Sequence, residues 1–371
     1  MGFMDALPLV EETCALASLP DQLTRLIRSE GGSPLRLSLS LQPAARYTLC
    51  IPVKDEAVML PATLEAVGLA MAAAGEAGAC VFLLNNTTDQ SAAIVCDWAQ
   101  QTSTSLVMAE VRLGNGNASA PRARRIALEI GQAVAPEQPL LTTDADTCVA
   151  LDWLARNLQW LRQGVDLVCG QVDVRPMELA ALAAPVRRCG EVEAAYTTAL
   201  RQLWRRWTGG AAPDPLLSAM GASLAIRAGA LRAVGGLPVP EVGEDRALAQ
   251  LLAERGFCVR EAPDVRATTS LRLHGRAWGG VSDTLRQRAA DPNPPCDEKL
   301  RPVATMRVLA ARWQQLARLP DASARFARVL RAEAAAGRKR MRLAAVEREL
   351  AVAKALLRTL EISDGQTLAA E

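Results

Sequence analysis

The sequence predicts an α/β protein whose mostly parallel sheet is flanked by helices, with helical extensions at both ends. Three observations carry that expectation. Short apolar runs alternate with helix-length segments between residues 47 and 172, the pattern of right-handed βαβ units. Half of the 371 residues are apolar and 22% are charged, so the chain can bury a sizeable core. The apolar runs also stop at polar clusters, as strands do when they deliver loops to one edge of a parallel sheet.

Residues 1–46 read as a mostly helical preface. An amphipathic stretch starts at Leu19-Pro20-Asp21, runs to about Ile27 and ends at Gly31-Gly32-Ser33-Pro34. Residues 47–53 form a short apolar strand stopped by Pro52 and Lys54-Asp55-Glu56, with a helix over 57–74. Residues 79–84 are the second strand, and the polar run Asn85-Asn86-Thr87-Thr88-Asp89 caps a helix through Trp98. Strand 105–110, helix 118–132 and strand 139–143 come next, the last ending at Asp144-Ala145-Asp146. Helix 153–161 and strand 165–172 complete the alternation.

After Pro176 the pattern changes. Residues 178–207 read as one long helical region, 224–227 as a short strand and 245–255 as a helix. From Pro302 the chain is Ala-, Arg- and Leu-rich and helical. The expected organisation is a helical extension over 1–46, a sheet domain over 47–290 and a helical extension over 291–371, the extensions packing on the domain or on a second copy.

With 42 basic against 40 acidic residues, a net of +2, there is no electrostatic case for nucleic acid as a partner. The nine cysteines are odd in number, show no C-x-x-C spacing and partly sit inside apolar runs. They predict reduced thiols in a cytoplasmic protein, with neither a disulfide framework nor a zinc site. Acids stand at the N-terminus where a signal peptide needs bases. The most hydrophobic window, 66–84, is broken by Gly75-Glu76 and Gly78, so no transmembrane segment is expected.

Ligands of parallel sheets bind beyond the carboxyl ends of the strands. Asp55-Glu56, the 85–89 run and Asp144-Ala145-Asp146 all fall at such ends, so three polar clusters should converge. Two carboxylates one residue apart can bind a hard divalent cation, Mn or Mg, while it also holds a diphosphate. The cation then neutralises a departing nucleoside diphosphate. D-x-D also occurs in many loops that hold no metal.

The ordered set of motifs resembles the family 2 glycosyltransferases with a GT-A fold. Residues Cys50 to Glu56 look like their opening strand, and Asn85 to Asp89 are similar to the second strand end that holds the donor nucleotide. Thr142-Thr143-Asp144-Ala145-Asp146-Thr147 matches the D-x-D motif, Gly221-Ala222-Ser223 the glycine loop near the sugar, and Gly243-Glu244-Asp245 the x-E-D motif. The resemblance spans roughly residues 46–285. It implies a soluble, metal-dependent enzyme that moves a sugar from a nucleotide-sugar donor to an unknown glycosyl acceptor with inversion. Donor contacts would come from Pro52, Lys54, Glu56, Asn85, Asp89, Arg124, Asp144, Gly221 and Arg276. The metal would rest on Asp144, Asp146 and His274, and Asp245 would be the base beside Glu244.

There are departures from the family pattern. Asn85 stands where the family usually has Asp, and Arg122, Arg124 and Arg125 occupy a region where it often has Lys. Arginine pairs phosphate bidentately, although these three also suit an exposed helix face. His274 is the sole histidine and reads either as a structural residue or as a ligand. Tyr196, Trp204 and Trp207 stand at helical spacing and suit either core or an acceptor platform. Two other readings remain: a nucleotidyltransferase, which lacks its glycine-rich Arg-bearing loop here, and a silent nucleotide-sugar-binding scaffold.

Overall fold

The computed structural model describes residues 9–42, 45–114, 118–271, 281–337 and 339–368. In chain order it runs α1 (Leu9–Ser29), β1 (Gly32–Ser40), β2 (Thr48–Val53), α2 (Leu60–Ala74), β3 (Ala79–Asn85), α3 (Ser91–Thr102), β4 (Ser105–Leu113) and α4 (Ala120–Val134). Next come β5 (Leu140–Thr142), β6 (Thr147–Val149), α5 (Trp153–Arg162), β7 (Leu167–Val174), α6 (Pro176–Ala181) and α7 (Ala184–Thr208). These lead to β8 (Leu224–Ile226), α8 (Ala228–Ala233), α9 (Glu244–Glu254) and β9 (Val259–Thr269). Helices α10 (Val281–Ala290), α11 (Val303–Leu316), α12 (Ala322–Ala335) and α13 (Leu343–Leu368) close the described chain. Two compact units result, one of residues 1–173, 219–249 and 258–270, the other of 174–218, 250–257 and 271–371.

The first unit is built on a nine-stranded sheet of order β1-β4-β3-β2-β5-β8-β7-β9-β6. Strands β4, β3, β2 and β5 form the parallel block that the βαβ pattern predicts. Antiparallel pairings flank it, β1 on β4 at one side and β8 on β5 and β7 at the other. All seven residues of β3 are buried, which is why its sequence is apolar without a break up to the closing Asn85. Leu49, Ile51, Leu64, Phe82 and Trp153 lie in the core beneath, and Phe82 meets Trp98 edge-on at 6.0 Å.

Three strands differ from expectation. Residues 32–40 form an edge strand and not the tail of a helical preface. Leu35, Leu37 and Leu39 alternate there with Arg36, Ser38 and Ser40, a period-two pattern across an exposed edge. Strand β6 has only three residues, and β9 carries four charges and a proline over eleven, so neither reads as an apolar run. The helical region predicted over 178–207 is two helices, α6 and α7, the second opening with Pro185 in its first turn.

The second unit is helical. Its core gathers Tyr196, Leu200, Leu203 and Trp204 of α7 with Trp313, Phe326 and Val346. Trp204 stacks on Phe326 at 5.6 Å, and Trp313 meets the same ring edge-on at 5.6 Å. Tyr196 Oη donates to the Arg301 carbonyl at 2.7 Å. Tyr196 and Trp204 are buried and Trp207 packs against them, so the aromatic stripe is core and not an acceptor platform. Among the described residues, no helix is long and apolar enough to cross a membrane.

Candidate active site

Parallel pairing puts the carboxyl ends of β2, β3 and β5 on one edge of the first unit's sheet. Strand β8 runs the other way, with Leu224 opposite Thr142, so the preceding Gly221-Ala222-Ser223 loop reaches that same edge. Thr143 Oγ1 donates to the Ala222 carbonyl at 2.8 Å, and Thr63 Oγ1 of α2 donates to the Ala145 carbonyl at 3.0 Å. These bonds pin the D-x-D turn about its buried alanine, with Asp144 and Asp146 half-buried on either side.

Arg124 organises this edge. Ser119 caps α4 by accepting from Arg122 N–H at 3.4 Å, and the helix carries the Arg124 guanidinium into the buried interior. Its Nη2 donates to Asp144 Oδ1 at 2.6 Å and its Nε to Glu244 Oε1 at 3.1 Å. Its Nη1 donates to Thr142 Oγ1 at 3.0 Å and to the Gly221 carbonyl at 2.9 Å. Burial works against the guanidinium charge, yet attraction and hydrogen bonds from Asp144 and Glu244 outweigh it and raise its pKa. Glycine at 221 leaves room for this guanidinium, because a Cβ there would stand 2.5 Å from Arg124 Nη2 and force one of them to shift.

The two carboxylates of the x-E-D segment point differently, as successive residues of a helix must. Glu244 is buried against Arg124. Asp245 is half-buried, its Oδ2 accepting from Gly221 N–H at 2.8 Å and its Oδ1 from Arg246 N–H at 2.7 Å. One side chain thus joins the D-x-D turn through Arg124, and the other holds the glycine loop directly. Asp146 lies beside β9, where Thr269 Oγ1 donates to its Oδ1 at 3.5 Å.

The ends of β2 and β3 form a second polar group. Asp55, at φ 51°, accepts at Oδ1 from Thr88 N–H at 2.7 Å and from Thr88 Oγ1 at 3.1 Å. Asp89 accepts from Ala57 N–H at 2.8 Å and from Ser91 N–H at 2.9 Å, while Ser91 Oγ accepts from Glu56 N–H at 2.9 Å. Asn86, at φ 52°, exchanges two hydrogen bonds with the Leu113 backbone and closes the end of β4. Asp and Asn tolerate the left-handed region better than other side chains, which suits both turns. Pro52, Lys54 and Glu56 are half-buried at the end of β2, and Asn85 is buried at the end of β3.

His274 and Arg276 lie outside the described residues. The sequence places Asp55 in one of the strand-end clusters, whereas Ser91 and Thr269 carry no motif that would single them out.

No protein-family model and no curated protein matches this sequence. Solved glycosyltransferase structures are similar to the chain at low identity. The mannosyltransferase PcManGT from Pyrobaculum calidifontis, in complex with GDP-Man and Mn2+, is 18% identical over 98% of this chain and 91% of its own, with a TM-score of 0.47. S. aureus TarS 1-349 in complex with UDP is 9% identical over 85% and 92%, with a TM-score of 0.40. Glucosyl-3-phosphoglycerate synthase from Mycobacterium tuberculosis, in complex with Mg2+ and uridine-diphosphate, is 13% identical over 73% and 82%, with a TM-score of 0.35.

Proposed function

We propose that the chain is a nucleotide-sugar-dependent glycosyltransferase that works with a divalent cation and inverts the anomeric centre. The observation that carries this reading is the convergence of the D-x-D turn, the glycine loop and the x-E-D helix on Arg124 at the carboxyl edge of the sheet. Two hard carboxylates at one turn fit a hard cation. Arg124 already holds one oxygen of Asp144, so Asp146 is the principal ligand and Asp144 shares the ion or meets the ribose. When bound, the cation neutralises the charge of the leaving diphosphate.

Glu244 is committed to Arg124 and positions the turn. Asp245 takes the proton from the attacking acceptor hydroxyl as that oxygen bonds to the anomeric carbon and the carbon–oxygen bond to the nucleoside diphosphate breaks, its electron pair leaving with the diphosphate. Two backbone N–H groups fix the Asp245 carboxylate in one orientation for that task. Asp245→Asn keeps the size of the side chain but cannot accept the proton. It should preserve donor binding and lower turnover by roughly 10²–10⁴ in a donor-consumption assay. Full turnover in Asp245→Asn, with loss in Glu244→Gln, reverses the two roles. A wild-type chain that binds donor but consumes none is a scaffold.

A further inference from the structure

The second unit holds a group of donor atoms that the sheet edge does not use. Cys189 and Glu193 lie one turn apart on α7, and Cys296 stands in the segment between α10 and α11. Both cysteines are fully buried, with their Sγ atoms 3.9 Å apart. The two sulfurs and a Glu193 oxygen all lie within 4.8 Å of one another. Glu193 Oε1 accepts from Asp297 N–H at 2.6 Å and from Arg288 Nη2 at 2.7 Å. Two hydrogen bonds fix the Cys296 segment: its N–H donates to the Met341 carbonyl at 2.8 Å, and its carbonyl accepts from the Arg340 side-chain Nε at 2.7 Å.

From this arrangement we propose that Cys189, Glu193 and Cys296 bind a thiophilic divalent cation of the zinc type, with water in the fourth position. Geometry favours it. Thiolates at two corners of a tetrahedron with Zn–S bonds of about 2.3 Å stand about 3.8 Å apart. The sulfurs already hold that spacing. A disulfide requires about 2.05 Å between sulfurs, so the pair would have to close by nearly half, and Glu193 would have no part in it.

Charge also balances. Two thiolates and a carboxylate are matched by the cation together with Arg288. On binding, two metal–sulfur bonds and one metal–oxygen bond form, both S–H bonds break, and two protons pass to solvent. Arg288 and the Asp297 amide serve as the outer layer that orients Glu193. Glu193 keeps 15% of its side-chain surface exposed, which gives the ion an approach. The sequence hid the group because 107 residues separate the cysteines.

The test uses the full-length protein, reduced, stripped with a chelator and titrated with Co2+ and then Zn2+. Co2+ should produce a near-ultraviolet thiolate-to-cobalt band that zinc displaces. Asp146→Ala should retain the band, which separates this site from the sheet edge. Cys189→Ser and Cys296→Ser should each remove it, and Arg288→Ala should weaken affinity by about 10–100-fold. In wild-type protein, zinc should also shield Cys189 and Cys296 from alkylation in peptide mass spectrometry, a readout that needs no variant. Absence of both band and shielding overturns the proposal. So does a Cys189–Cys296 disulfide that forms equally fast with and without zinc.

Discussion

Helix α4 carries three arginines within four residues, and its two sides use them in opposite ways. On one side Arg124 is buried and bound to Asp144, Glu244, Thr142 and Gly221. On the other, Arg122 and Arg125 reach Glu30, just past α1, at 2.6 and 3.0 Å while keeping 26% and 22% of their side-chain surface. Arg125 also donates to the Leu237 carbonyl at 2.8 Å and pairs with Glu129 at 2.9 Å. Each step along a helix turns about 100°, so adjacent positions of one residue type enter different surroundings. The buried arginine joins the parts of the candidate site, whereas the half-exposed pair fastens the N-terminal segment to the sheet domain.

The contrast can be broken at several points. Arg124→Met leaves Glu244 buried without its cation and should cost about 3–5 kcal/mol in urea unfolding. Gly221→Ala should cost about 1–3 kcal/mol, because the new methyl must displace the guanidinium or the loop. Glu30→Ala removes the shared partner of Arg122 and Arg125 and should cost roughly 1–2 kcal/mol, reduced by solvent at both arginines. Donor binding should survive that change.

Glu129→Gln should have the smallest effect and the opposite sign. Burial first, and then Glu30, raise the Glu129 pKa more than Arg125 and Arg122 lower it. A carboxyl whose folded pKa is raised contributes stability at low pH and loses it as pH rises through the folded value. At pH 7 the charged Glu129 therefore costs stability. The amide variant should melt slightly higher there, by under about 1 kcal/mol, with the gap closing as pH falls towards 4.

The parallel block was legible because strands covered on both faces must be largely apolar, as residues 49–53 of β2 and 79–84 of β3 are. Strand β1 was not, because an exposed edge tolerates Arg36 and Ser38 between its leucines. The candidate site was legible as a set of strand-end motifs: Asp144, Gly221, Glu244 and Asp245 are joined through direct bonds to Arg124 or Gly221. The burial of Arg124 was not legible. Its sequence context is equally that of an exposed face, and only the rotation of α4 against the sheet decides which arginine goes inside. The closeness of Cys189 and Cys296 was not legible either, since C-x-x-C spacing reports only local pairs.

The proposed nucleotide-sugar site depends on a cation at the Asp144–Asp146 turn. Its most direct test is the melting temperature of wild type and Asp146→Ala with UDP-, GDP-, dTDP- and CDP-sugars, each with and without Mn2+. A donor at a hundred times its dissociation constant should stabilise the wild-type fold by about 2.7 kcal/mol. That shift should appear for one nucleotide class, only with Mn2+ present, and should be lost in Asp146→Ala. No shift with any donor, or the same shift in Asp146→Ala, contradicts the proposal.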